Sequence, residues 1–193
     1  MTHRFSSLFI IFLCLSLTAC GGRENRDAPR QVGRSIVIGM TSDGIQLSAF
    51  ENIFANTLRT EGDLVCLVAT GLPQLRAGIT ADNIRSAAEA ANASHVIINR
   101  MIPVSARDGS AGNLDNYVAS ITPIQRVNGD EGVIESRVFS VETGNLLWSR
   151  WSSKVNPRGR LKDLADEAQD LADDLAGDNI IKPIVVESLE SDT

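Results

Sequence analysis

Between Ser35 and Met40 the chain reads SIVIGM, a short apolar run that Thr41-Ser42-Asp43-Gly44 closes as a turn signal. A run of this length bounded by turn residues reads as a buried strand. The next stretch changes period. Phe50, Ile53, Phe54, Thr57 and Leu58 recur at helical spacing, Ser48 and Glu51 have the spacing of a capping box, and Gly62 is a stop. A second strand is expected over Asp63 to Ala69, after which Gly71-Leu72-Pro73 breaks the chain. Thr80 then caps a second helix whose buried side is Ile84, Ala87, Ala88 and Ala91, small enough for close packing against a sheet. A third strand starts near Ser94 and runs from His95 to Ile102. The order β-α-β-α-β, with elements of these lengths, favours parallel strands joined by helical crossovers.

The second half has another character. Ser105 to Asn116 (SARDGSAGNLDN) reads as a polar loop. Three strands are expected after it, Tyr117 to Val127, Gly132 to Val141 and Leu146 to Val155, with turns at Asn128-Gly129 and Thr143-Gly144-Asn145. Short glycine turns of this kind make an antiparallel meander, and Pro123 marks its first strand as an edge or a bulge. A helix from about Arg160 to Ala176 carries the apolar stripe Leu161, Leu164, Ala165, Ala168, Leu171, Ala172 and Leu175, and Gly177 ends it. Asp163, Asp166, Glu167, Asp170, Asp173 and Asp174 lie opposite and read as a solvated face rather than a cation or partner site. Ile180 to Val186 adds a short strand. The expected fold class is α+β: β-α-β-α-β, then an antiparallel meander and a C-terminal amphipathic helix, a mixed sheet with helices packed on it. One globular domain covers residues 35–186, and residues 187–193 form a disordered acidic tail.

Ahead of that domain, Met1-Thr2-His3-Arg4 carries one positive charge and no charge follows from Phe5 to Ala19. That is the layout of a secretory signal, too short for the roughly 20 apolar residues of a bilayer-spanning helix. Leu17-Thr18-Ala19-Cys20 match the bacterial lipobox. This resemblance implies cleavage between Ala19 and Cys20, so that residues 1–19 leave. It also implies acylation of Cys20, whose sulfur accepts diacylglycerol, and attachment to membrane lipid through that residue. Each buried methylene contributes about 0.8 kcal/mol, so several acyl chains anchor a protein durably. Gly21 rather than Asp after the cysteine implies the outer-membrane route, with the domain facing the periplasm. Residues 20–34, Cys20 and GGRENRDAPRQVGR, then read as a lipidated flexible tether with a reach of about 20 Å; a short ordered arm is the alternative.

The formal charge of −6 becomes −7 when Arg4 leaves. With that charge, and no basic stripe interleaved with aromatics, nucleic acid is not an expected partner. Of three cysteines, Cys14 leaves with the signal and Cys20 is consumed by lipid, so no intramolecular disulfide forms; Cys66, inside a Val/Leu run, is expected to pack as a small hydrophobe. His95 is the one imidazole left after His3 departs, and a lone histidine at a strand start reads as structural. No zinc-ligand cluster, phosphate loop or nucleophile elbow is present. Asp108, Ser110, Asn113 and Asp115 gather oxygens on one loop but lack the EF-hand pattern, so a mobile polar loop is preferred to a metal site. No catalytic residue, metal or cofactor is assigned, and the chain is not expected to be an enzyme.

At Phe139 to Ser149 the sequence FSVETGNLLWS, set after a β-α-β-α-β start and before an amphipathic helix, resembles the envelope lipoprotein group related to the N-terminal domain of TolB and to CsgG. The resemblance implies a domain that binds other cell-envelope proteins or forms a homo-oligomer. No long transmembrane hairpin is visible, which speaks against a pore. Trp148 and Trp151, three apart on an expected strand, should point to opposite faces, one to the core and the other outward. Trp151 with Arg150 is the candidate partner surface, burial of both tryptophans being the alternative. The leading expectation is a non-catalytic accessory or assembly lipoprotein; a small-ligand-binding envelope lipoprotein comes second and a carboxylate-based hydrolase third.

Overall fold

The computed structural model describes residues 32–40, 44–62, 64–103, 112–121, 132–155 and 161–182. Its strands are β1 (Ser35–Met40), β2 (Cys66–Val68), β3 (His95–Pro103), β4 (Gly132–Ser140) and β5 (Leu146–Val155). Its helices are α1 (Gly44–Glu61), α2 (Ala81–Ala91), α3 (Leu114–Ser120) and α4 (Leu161–Gly177), with two 3₁₀ turns at Ala69–Gly71 and Pro73–Leu75. The strands form one sheet in the order β2-β1-β3-β4-β5. β1 is parallel to β2 and β3, whereas β4 is antiparallel to β3 and to β5. The fold is the α+β mixed sheet expected from the sequence.

Both faces of the sheet are covered, which is why its central strands carry apolar side chains in both directions. Val37, Ile97, Ile134 and Val138 point to one face, where Phe50, Phe54, Leu58 of α1 and Leu164, Ala168, Leu171, Leu175 of α4 meet them. Ile36, Ile38, Val96, Ile98 and Phe139 point to the other, under Ile84, Ala87 and Ala88 of α2 and Leu114, Tyr117 and Val118 of α3. Each fully buried Leu, Ile or Phe side chain contributes about 1.5–3 kcal/mol relative to exposure. Thr80 caps α2 as expected, accepting from the Asn83 amide, and Asn92 closes it in the left-handed conformation at φ 51°.

Several elements depart from the sequence reading. Leu114–Ser120 is helical, where the end of the polar loop and, from Tyr117, the start of a strand are expected from the sequence. Asn113 accepts from the Asn116 amide as an N-cap, and Leu114, Tyr117 and Val118 bury one face at helical spacing. The antiparallel part is therefore β3-β4-β5, and Asn128-Gly129 and Pro123 lie outside the described residues. β2 spans three residues rather than seven, because the chain meets β1 only over Cys66–Val68 and then tightens into the 3₁₀ turn. Ser48 and Glu51 do not form a capping box: both sit inside α1, and Glu51 reaches into the sheet. Leu161 at the start of α4 is 64% exposed, so the buried stripe begins one turn later, and Glu167 on the supposed solvated face is buried. Ala91 is half-buried, and Ile180 and Ile181 pack in the core without forming a strand over residues 180–182.

Candidate functional site

Three places on the fold bring polar chemistry together, one at each edge of the sheet and one in its middle. At the first edge is β5, whose one strand neighbour among the described residues is β4. Its registers pair Trp148 with Val138 and Trp151 with Glu135, residues that face opposite sides, so the two tryptophans do point apart. Trp148 is 8% exposed in the α1/α4 core, and its indole N–H donates to Asp178 Oδ2 at 2.8 Å. Trp151 is half-buried, and its Nε1 has no partner among the described residues. Arg150 pairs with Asp174 on α4 at 2.9 Å, and Ser153 donates to Glu167 Oε2 at 2.9 Å. Arg150 thus holds α4 to β5 while remaining about half exposed. Burial raises the carboxyl of Glu167, with the neighbouring Asp170 and Asp174 charges adding to the rise against the Ser153 bond.

At the other edge the chain changes direction. α1 follows β1 on one face of the sheet, and α2 follows β2 on the other, so the connections part at the carboxyl ends of two adjacent parallel strands. A cleft of about 370 Å³ lies there, lined by Gly39, Ser48, Glu51, Ala69, Thr70, Leu75, Arg76 and Ile79. Glu51 is 1% exposed; its Oε1 accepts from the Gly39 amide at 2.8 Å and its Oε2 from the Thr70 amide at 3.4 Å. Burial pushes this carboxyl above its ordinary value, and the bonds from Gly39 and Thr70 oppose that rise. No periodicity announces the site, since Glu51 looks in sequence like any polar residue of an amphipathic helix.

No protein-family model and no curated protein matches the chain. Solved structures match at low identity. The PelC dodecamer from Paraburkholderia phytofirmans is 17% identical over 79% of this chain and 90% of that one, with a TM-score of 0.41. TolB from Acinetobacter baumannii is 13% identical over 78% of this chain and 29% of its own, at 0.44. The C-terminal domain of LpoB from Salmonella enterica is 13% identical over 65% of this chain and 82% of that one, at 0.42. At these values no residue and no role is carried across.

A third polar assembly is structural. Glu135 in β4 accepts from Arg100 at 2.9 Å, from Arg137 at 2.6 Å and from the Tyr117 hydroxyl at 2.8 Å. The Arg137 guanidinium stacks 4.6 Å from the Tyr117 ring centre. Burial, followed by the Glu135 charge, raises the Tyr117 phenol well above its usual range. Cross-strand register delivers Arg100 to Glu135, and only the unexpected helix α3 delivers Tyr117.

The remaining sequence candidates fall into place separately. Cys66 is buried and its thiol is pushed up to about 12, which makes it the packed cysteine expected. His95 is buried at the start of β3 with its Nδ1 2.8 Å from the Ser94 hydroxyl, and burial lowers its pKa. Asn113 and Asp115 serve α3 rather than an ion: Asn113 caps it, and Asp115 pairs with Arg85 of α2, which holds its carboxyl below the ordinary range. No group of three potential metal ligands exists among the described residues. No described helix is long and apolar enough to cross a membrane. Ala19, Cys20, Asp108, Ser110 and residues 187–193 lie outside the described residues.

Proposed function

We propose that this chain is a lipid-anchored accessory or assembly protein of the bacterial cell envelope, fastened to the outer membrane through Cys20 with its domain facing the periplasm. It binds another envelope protein or a second copy of itself and catalyses no reaction. The observation that supports this reading most is the edge position of β5, a ten-residue strand that pairs with one strand, β4, among the described residues, and whose first residue, Leu146, also bonds the Gly112 carbonyl. An open edge offers backbone donors and acceptors to a further strand. Trp151, half-buried with its indole N–H buried, and Arg150, half-exposed on the opposite face, both lie on that strand, and both residue types are common interface anchors. The non-catalytic part of the reading is supported by the placement of the two raised carboxyls. Glu51 bonds to β1 and Glu167 to β5, strands three sheet spacings or about 14 Å apart, so they do not share a cleft as an acid–base pair must.

The test is crosslinking in intact cells from a photoreactive residue at Ser149, exposed on β5, with one at Ala90, exposed on α2, as the control. A defined adduct from position 149 alone, diminished by Trp151→Ala and by Cys20→Ser, is the expected result. Equal capture from both positions refutes the β5 surface. Intact mass of the membrane-extracted protein tests the anchor, and a mass without acyl chains on Cys20 refutes it.

A further inference from the structure

Glu167, Asp170, Asp174 and Asp178 fall on one line along α4 and the turn after it, because spacings of three and four residues share a helix face. Three of them reach β5: Glu167 accepts from Ser153 at 2.9 Å, Asp174 pairs with Arg150 at 2.9 Å, and Asp178 accepts from the Trp148 indole at 2.8 Å. The buried stripe of α4 packs with α1 over the sheet, so this acidic line is the flank that α4 turns toward the β5 edge. Asp170, in the middle of the line, is exposed and has no cationic partner among the described residues. Burial raises the Glu167 carboxyl, and Asp170 and Asp174 add to the rise, as expected where negative charge is in excess.

Acidic residues on a helix are usually a solvated face. This line differs in running beside an edge strand. From Leu147 to Ser152 no main-chain group of β5 bonds a described main-chain group outside β4. A strand added there would lie about 4.8 Å beyond β5 and send alternate side chains to opposite faces of the sheet. On the α4 face they meet the acidic flank, and on the other they meet half-buried Trp151 and exposed Ser149. A second copy of β5 in that position would bring its own α4 flank against this one, carboxylate toward carboxylate, so the seam disfavours self-pairing. Resting on the partner surface proposed above, we propose that the β5 edge takes a strand of another protein in which basic and apolar residues alternate, the basic ones along Asp170 and Asp174 and the apolar ones over Trp151.

Fluorescence anisotropy with the purified full chain in nonionic detergent tests the assignment, using labelled octapeptides of alternating valine and lysine, valine and glutamate, and proline and lysine. The valine–lysine peptide should bind, more weakly as salt rises. The valine–glutamate peptide meets the flank with the wrong sign, and the proline–lysine peptide keeps the charge but cannot form a ladder, so neither should bind. Asp170→Asn should weaken the valine–lysine peptide about threefold and Asp170→Lys about tenfold, the scale of exposed charge pairs. Both variants keep the fold because Asp170 is exposed. Glu89→Lys, the same reversal at an exposed position of α2, should leave the affinity unchanged. No binding at millimolar concentration, equal binding of either control peptide, or an unchanged affinity in Asp170→Lys overturns the proposal. If it is overturned while position 149 still captures an envelope protein in cells, the partner surface stands with a partner of other chemistry; if that adduct is missing too, the surface itself falls.

Discussion

The Tyr117 hydroxyl donates to Glu135 Oε2 at 2.8 Å, tying α3 to the middle of β4 on the face of the sheet away from α4. Two arginines share the same carboxylate, and the Arg137 side chain is 3% exposed. Glu135→Ala removes the anion from between two guanidinium groups and should destabilise the fold by about 3–5 kcal/mol. Tyr117→Phe removes one hydrogen bond to a charged group and should cost about 1.5–3 kcal/mol. Urea unfolding of both variants checks the order; a Glu135→Ala protein as stable as the parent contradicts it.

Glu167 sets a pH dependence whose sign follows from burial. Its folded pKa lies above 4.5, so between the unfolded and folded values the native state binds more protons than the unfolded chain. Its contribution is most favourable below the unfolded value and is lost as pH rises through the folded value. Glu167→Gln should therefore gain on the parent in melting temperature as pH is raised above 4.5. Thermal melts at a series of pH values measure the difference, and a gap that narrows with rising pH refutes the assignment. The same sign holds for Glu51.

Trp148 and Asp178 fasten the end of α4 to β5. Trp148→Phe keeps much of the buried area but loses the N–H, and a cost of about 1.5–3 kcal/mol is expected for a bond to a carboxylate. Asp178→Ala should cost a similar amount, and the double variant should show coupling of about 1 kcal/mol. Chemical denaturation of the four proteins closes the cycle; zero coupling means the bond does not form in solution.

Gly144 turns the β4–β5 hairpin at φ 69°, and its carbonyl accepts from the Leu114 amide at the start of α3. A Cβ there would make only ordinary contacts, the nearest to Asp115 Oδ2 at 3.6 Å, yet the left-handed backbone strains any L side chain. Gly144→Ala should lower stability by about 1 kcal/mol, read from the shift in unfolding midpoint.

Cys66 should resist a disulfide reagent in the native protein. The thiol is buried and its pKa is pushed to about 12, so thiolate and access are both lacking. Labelling kinetics across a urea series should track global unfolding, and rapid labelling without denaturant contradicts the packing.

What made the strands legible is their local chemistry. β1 was readable to the residue because an apolar run between turn residues has few other conformations, and α2 because Thr80, its small buried face and its spacing all agree. Tyr117 is illegible as a helical residue because Tyr-Val-Ala-Ser is as compatible with a strand as with a helix, and seven residues are too few for periodicity to decide. Pleat alone sends Trp148 and Trp151 to opposite faces, and the register bears this out.

The candidate cleft was invisible for a different reason. Glu51 and Arg76 are far apart along the chain and ordinary within their own segments, and nothing local distinguishes a solvated glutamate from one that bridges β1 and the turn after β2. Periodicity and capping, which act between residues a few positions apart, were enough for the sequence by itself to determine the α+β order, the parallel first half and the antiparallel close. The burial of Glu51 and Glu167, the Tyr117–Glu135 cluster and the crevice were decided by the tertiary structure alone, because burial and charge pairing depend on what distant segments bring to the same point.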